Sequence, residues 1–276
     1  MLKHTAADAG LDQRSRDLRR TMVRILAAAR RGHFASALSV VEILRVLYDD
    51  VLRYNAKDPE WTGRDRCILS KGHGCLALYV MLADKGFFPK AELWQFCRPE
   101  SILGGHPEVK VPGVEASTGS LGHGLAIGIG MALAARIQRS DYRVFTIIGD
   151  GESNEGSIWE GAMCAAKHEL SNLTVVVDYN KQQSYGPTSA VLNLEPLAAK
   201  WQSFGFAVAE SDGHDVAALR RTFSHTPIVR GRPSCIICHT VKGRGIPLVE
   251  SDPSWHHKSR VTDEEIHSLQ EAVGSE

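Results

Sequence analysis

The stretch RVFTIIGDGESNEGSIWEGAMCAAKHELSNLTVVVDYNKQQSYG, residues 143–186, decides the fold. Residues 144–148 form a short apolar run rich in β-branched side chains, the pattern of a strand buried on both faces. The run stops at Gly149-Asp150-Gly151, where a carboxylate sits between two residues that let a ligand approach the backbone closely. Ser153 or Asn154 is placed to cap a following helix, whose inner face carries Ile158, Ala162 and Ala165. Residues 173–177 are a second buried strand, which ends at Asp178-Tyr179-Asn180. A helical crossover between parallel strands returns the chain to its starting side, so both strand ends fall on one edge of the sheet. Asp150 and Asn180 are therefore expected to meet at the carboxyl edge, where open α/β sheets bind ligands.

Outward from this unit, strands and helices alternate. Helices are predicted over residues 14–30 (ended by Gly32), 39–52 (capped by Ser39), 76–84, 125–136, 197–204 and 216–223. Residues 66–69, 206–209 and 234–240 read as further strands, the last delivering the basic loop Lys242-Gly243-Arg244-Gly245. Thr262 and Glu265 are spaced as a capping box for a terminal helix. Gly128 and Gly130 inside an apolar helix suggest close backbone packing, against this chain or a partner. The expected fold is α/β, a doubly wound, mostly parallel sheet with helices on both faces, forming a single domain over residues 1–276.

Of the 276 residues 43% are hydrophobic and 23% charged, enough for a sizeable core, and 32 basic residues balance 32 acidic ones. That balance gives no general field for nucleic acid or an anionic membrane, and no apolar run is long enough to span a bilayer. The polar amino terminus lacks an apolar signal core, so a cytoplasmic protein is expected. Cys235 and Cys238 have redox or zinc spacing, but strand alternation sends them to opposite faces, as reduced core thiols.

One carboxylate (Asp150), one amide oxygen (Asn180) and a backbone carbonyl, that of Gln182, make a set of hard oxygen donors. Mg²⁺ completes such a set with phosphate oxygens and water, so the edge is read as a diphosphate site. Gly-Asp-Gly, then 28 residues, then Asn resembles the thiamine diphosphate signature of transketolases and related enzymes. Eight segments in order extend the likeness: RRGHFASALSVVEILRVLY, LSKGHG, GGHPE, TGSLGHG, GDGESNEGSIWEGA, DYN, HTVKGRG and WHHK. Together they resemble the amino-terminal, diphosphate-binding portion of transketolase over residues 14–258.

The resemblance implies thiamine diphosphate and Mg²⁺ (or Ca²⁺) as cofactors, with Asp150, Asn180 and the Gln182 carbonyl on the metal. It implies that Lys71, His73, Gly119, Leu121, Gly151, Asn180 and Lys242 face the cofactor. Substrate contacts fall to His33, Ser36, His106, Gln183 and His256, with Glu155 and Glu160 toward a dimer interface near the activating machinery. Proton movement at sugar hydroxyls near neutral pH suits imidazoles. His4, His168, His214, His225, His239, His257 and His267 are read as structural or solvated; His123 stands where many relatives carry glutamine. Phe34 replaces a proline of the family pattern, so an altered loop or channel is expected.

The family's pyrimidine-binding and carboxyl-terminal domains have no counterpart here. The resemblance thus implies the amino-terminal subunit of a split transketolase, completed by a partner chain (an α2β2 heterotetramer) and working on sugar phosphates. A glutamate that the family places on the missing half touches the cofactor's pyrimidine, so the chain alone is expected to be inactive. Two alternatives stay open: part of another thiamine enzyme, one that takes a 2-oxoacid and transfers its acyl group, and a non-catalytic scaffold.

Overall fold

The computed structural model describes residues 10–250 and 252–274; His4 lies outside them. Five strands, β1 (Arg66–Leu69), β2 (Val144–Gly149), β3 (Leu173–Tyr179), β4 (Ala207–Asp212) and β5 (Ser234–His239), pair in the order β1-β2-β3-β5-β4. Each neighbouring pair is parallel, with Val144 opposite Leu173 and Thr174 opposite Ser234. The chain runs outward from β1 to β3, passes over to β4, and returns through β5.

Alternation along the strands builds two cores. Phe145, Ile147, Val176, Ile236 and Cys238 point into one, with α1 (Gln13–Ala29), α2 (Phe34–Leu38), α3 (Val41–Val46), α4 (Cys75–Asp84), α9 (Val216–Ser224) and α10 (Asp263–Ala272). Val144, Ile148, Val175, Val177, Cys235 and Ile237 point into the other. There they meet α5 (His123–Gln138), α6 (Gly156–Lys167) and α8 (Leu197–Ser203); a short α7 (Thr188–Val191) precedes the last of these. This is the doubly wound sheet that the buried runs foretold. Cys235 and Cys238 are free and lie on opposite faces, as alternation requires. No helix of the described residues is long and apolar enough to cross a membrane.

Several boundaries differ from the sequence reading. Arg30, not Gly32, is the left-handed residue that ends α1. A short helix, α2, which the sequence reading did not include, begins at Phe34. Ser39 is not an N-cap but follows α2 as its C-cap: its hydroxyl turns inward to Asp178, and α3 begins after Val40 and runs into a widened π turn, Leu47–Val51. A buried acceptor outcompetes a local cap. Ser153 and Asn154 do not cap α6, which starts after Glu155 without a side-chain cap. Gly128 faces the Thr146 side chain of β2 rather than another backbone, and a Cβ on Gly130 would meet open space. The capping box of Thr262 and Glu265 is present.

A buried triad closes the first core. Arg19 of α1 sends two nitrogens to the Glu42 carboxylate of α3, at 2.6 and 3.0 Å. The same carboxylate meets His214 Nδ1 at 2.8 Å, and His214 Nε2 accepts from the Val241 amide. The triad thereby ties α1 and α3 to the loop leaving β5. Burial pushes the Glu42 carboxyl up, but the Arg19 charge and the two hydrogen-bonded partners hold it well below the usual carboxylate range. Its stabilisation is therefore complete above the unfolded carboxyl pKa and drains away as pH falls. Arg19→Met is expected to cost about 3–5 kcal/mol at pH 7, since it strands a buried charge. Urea denaturation at pH 7 and pH 4 checks this. A variant as stable as the parent at pH 7, or an unchanged gap at pH 4, contradicts it.

Candidate active site

The carboxyl ends of β1, β2, β3 and β5 open into a cavity of about 240 Å³. Every residue assigned a cofactor, metal or substrate contact from the sequence lines it, Glu155 and Glu160 do not, and Gly149, Glu152 and Ser184 join the lining. Glu155 precedes α6 and Glu160 lies on its exposed side. A larger open groove of about 560 Å³ runs beside α1 and α10. Its arginines are already engaged, Arg20 with the Val273 carbonyl and Arg24 over the Trp94 ring.

In the cavity floor lies an ion pair that the sequence reading missed. Lys71, just past β1, places its Nζ 2.5 Å from Asp178 Oδ2 on β3, and both side chains are at most 1% exposed. Asp178 also accepts from Ser39 Oγ at 2.7 Å, from Thr240 Oγ1 and from Asn180 Nδ2 at 3.1 Å. Burial raises the Asp178 carboxyl, yet the Lys71 charge and these donors outweigh it and keep the group ionised. A carboxylate only accepts, so the Asn180 amide must turn its NH₂ toward Asp178. Asn180 Oδ1 then faces the other way, where the Gln182 amide donates to it at 3.0 Å.

Asp150 sits in the next layer up. Its oxygens accept from the Gly151 and Lys181 amides, at 2.7 and 2.5 Å. Burial, then the neighbouring Asp178 charge, pushes its carboxyl up to about 7. Such a group favours a nearby cation. Among the described residues no cluster of three or more His, Cys, Asp or Glu could hold a metal. The donor set here is instead one carboxylate, one amide oxygen and a carbonyl, which suits a hard cation completed by phosphate and water. Lys242 Nζ lies 3.4 and 3.2 Å from the Gln182 and Gln183 carbonyls, and burial followed by the Lys71 charge lowers it to about 8. Gln183 Nε2 and His256 Nδ1 are buried with no hydrogen-bond partner among the described residues, as expected of a wall that a polar ligand completes.

Glu152, also missed, is a buried clasp. It accepts from Ser70 Oγ at 2.5 Å and from the Gly122 and Gly149 amides at 2.9 and 3.1 Å. Three cavity loops are joined through one side chain. Gly72 permits a close approach of two loops, since a Cβ there would stand 2.8 Å from the Thr118 carbonyl carbon.

The mouth is ringed by imidazoles. His33 lies 5.7 Å from His73, 5.5 Å from His106 and 5.7 Å from His256, ring centre to ring centre. Burial first, then neighbouring cations, lowers His33 to about 4 and His256 to about 3, with His73 and His106 lowered in the same sense. These rings are neutral at pH 7 and free to accept a proton. His257, read as bland, is 4.5 Å from His33. His214, also read as bland, belongs to the buried triad. Phe34 does not line the channel; it is wholly buried and faces Trp255 at 6.3 Å.

A parallel sheet with metal-type oxygen donors at one strand edge and a ring of neutral histidines defines a cofactor-dependent enzyme domain. Residues 12–276 match the family described as "Transketolase, thiamine diphosphate binding domain". The chain is 40% identical over 247 residues to one of the subunits of the apulose-4-phosphate transketolase of Phocaeicola vulgatus, covering 90% of this chain and 88% of that one. It is 40% identical over 234 residues to a 6-deoxy-6-sulfo-D-fructose transketolase subunit of a Clostridium species, covering 84% and 85%. The crystal structure of Campylobacter jejuni transketolase superposes with a TM-score of 0.88 at 29% identity, over 95% of this chain but 42% of that one. The chain belongs to the transketolase family. It spans about two-fifths of that solved transketolase and nearly the whole of the Phocaeicola vulgatus relative, and is a transferase subunit of the split transketolase type.

Lys71→Met is expected to destabilise the chain by about 3–5 kcal/mol, because it leaves Asp178 charged and buried. Adding Asp178→Asn removes that charge and should recover most of the loss. Chemical denaturation of the two variants decides the matter. A double variant no more stable than the single one contradicts the assignment.

Proposed function

We propose that this chain is the diphosphate-binding half of a thiamine diphosphate-dependent transketolase that moves a two-carbon ketol unit from a ketose phosphate to an aldose phosphate. It is one diphosphate-binding domain over residues 1–276. A separate partner chain supplies the pyrimidine-binding and carboxyl-terminal domains, in an α2β2 assembly in the cytoplasm. The observation that carries the proposal is the union of two sets of residues in one cavity: oxygen donors at the strand tips and four neutral imidazoles at the mouth.

Asp150, Asn180 and the Gln182 carbonyl would hold Mg²⁺ (or Ca²⁺), and the metal in turn the diphosphate. Lys242, His73 and Gly151 would face the diphosphate, with Gly119 and Leu121 toward the rest of the cofactor and Lys71 acting beneath, through Asp178. Thiamine diphosphate, when bound, supplies the nucleophilic carbon and the electron sink. His33, His106 and His256 exchange protons with sugar hydroxyls, and their lowered pKa keeps the base form available at neutral pH. Ser36 and Gln183 add polar contacts to the ligand, and Glu155 and Glu160 face the partner. A 2-oxoacid substrate has fewer hydroxyls to serve and leaves most of this ring idle. A pure scaffold has no use for a raised, cation-seeking Asp150.

Asp150→Ala is expected to lower Mg²⁺-dependent thiamine diphosphate affinity at least about 10–100-fold, the range seen even for outer-shell metal partners. Calorimetry on the chain mixed with its partner chain measures this. The parent pair, given xylulose 5-phosphate and ribose 5-phosphate, should form sedoheptulose 7-phosphate, whereas the chain alone should not. Undiminished cofactor affinity in the variant, or sugar exchange by the chain alone, contradicts the proposal.

A further inference from the structure

Two residues past Asp150, the Glu152 side chain is 2% exposed and engages three segments of the fold with its two oxygens. Oε1 accepts from Ser70 Oγ and from the Gly122 amide, and Oε2 from the Gly149 amide. Each donor is or adjoins a cavity residue: Ser70 precedes Lys71, Gly122 follows Leu121, and Gly149 lines the wall itself. The three segments do not depend on this carboxylate equally. Lys71 is held by Asp178, and Asp150 by the Gly151 and Lys181 amides, whatever Glu152 does. The Gly119–Leu121 stretch is different. It is tied at one end by Thr118, whose hydroxyl donates to the Leu69 carbonyl at 2.7 Å, and at the other by Gly122. Between these ends Gly119 and Ser120 are exposed. Gly122 is pinned on both sides, its amide by Glu152 and its carbonyl by Ser157 Oγ at 3.0 Å. It has φ +82° and no room for a Cβ, which would run into the Ser157 hydroxyl and stand 2.8 Å from Glu155 Cβ. Gly122 is also the N-cap of α5, so the carboxylate on its amide meets the positive end of that helix.

We propose that Glu152 is a positioning residue that fixes the Gly119–Leu121 stretch against the strand tips. It thereby sets the spacing between the half of the cavity that holds the diphosphate and the half that takes the rest of the cofactor. This rests on the thiamine diphosphate reading of the same cavity. Glu152 acts through the Gly122 amide. Without its carboxylate two buried amides and a hydroxyl lose their acceptor. The segment able to answer by moving is Gly119–Gly122, because the other two stay tied to the sheet through Asp178 and the strand-tip amides. A ligand that bridges both halves must then order the pocket as it binds, which lowers its affinity, whereas a ligand confined to the diphosphate half meets an unaltered wall.

The test uses the reconstituted pair of chains with Mg²⁺. Calorimetry measures its affinity for thiamine diphosphate and for inorganic pyrophosphate, which engages the diphosphate half alone. Glu152→Met keeps the length of the side chain and removes its acceptors. Its thiamine diphosphate affinity should fall about tenfold or more, as for a lost charge-assisted hydrogen bond, with pyrophosphate affinity changed less than about twofold. Glu152→Gln keeps two of the three bonds in either orientation of its amide. It should show the same selectivity at about threefold, and it decides the matter if the Met variant does not fold. An equal loss for both ligands overturns the proposal, because Glu152 would then support the site as a whole; so does no loss for either. Hydrogen exchange on the ligand-free pair gives a second readout. Peptides covering residues 118–122 should exchange about tenfold faster in the Met variant, while those of β2 and β3 keep their protection. Unchanged protection over residues 118–122, or faster exchange throughout the sheet, overturns the proposal. If the parent pair binds no thiamine diphosphate, the reading of function falls instead, and the exchange result alone decides whether Glu152 fixes the stretch.

Discussion

The Lys71–Asp178 ion pair is the constraint on which the site depends. It joins the tips of β1 and β3, which are not sheet neighbours, beneath β2 and its Asp150. A buried pair of this kind repays its desolvation only when its remaining hydrogen-bonding capacity is satisfied. Here Ser39, Thr240 and Asn180 supply the donors to Asp178, and the Ser36 carbonyl accepts from Lys71. Each of those donors belongs to a different segment, so satisfying one carboxylate also fixes the loops after α2, β3 and β5. The orientation of the Asn180 amide is a by-product of that satisfaction.

A second layer of carboxylates rests on the first. Burial, and then repulsion from the ionised Asp178, raises Asp150, which is held by two backbone amides rather than a cationic side chain. Glu152 is held in the same way, by amides and a hydroxyl. The floor therefore carries one neutralised acid below and two acids poised above, facing two lysines. This distribution favours a ligand that brings a divalent cation together with a polyanion, since either alone leaves part of the field uncompensated.

How much of this was legible depended on sequence distance. The βαβ unit was readable because its apolar runs and turn residues are local, and the meeting of Asp150 with Asn180 follows from topology without knowledge of any side-chain contact. Ser39 was misread because, in sequence, a serine before an apolar helix looks like a cap; its true acceptor lies 139 residues away. Glu152 stood in plain view inside the Gly149–Asn154 segment, but two of its three donors, Ser70 and Gly122, come from distant loops. His257 was invisible for another reason: its neighbour is set by the register of a bridge between residues 32 and 258, which no periodicity announces. The family pattern recovered most wall residues, but it says nothing of where the Phe34 ring goes, which is onto Trp255 in the core.

The same packing that builds the cavity also sets its proton chemistry. Four rings within 6 Å of a neighbour, backed by two buried lysines, make each protonation raise the cost of the next. The set is therefore neutral at rest and tolerates little more than one added proton at a time. For a ligand lined with hydroxyls this is useful: one ring takes a proton, its neighbours stay neutral, and each can donate or accept a hydrogen bond as the tautomer requires. A ring of full charges would grip an anion more strongly but could not take up a proton. The cluster gives up binding strength in its interior to keep its rings unprotonated, so that each stays a neutral hydrogen-bonding partner while a neighbour carries a proton.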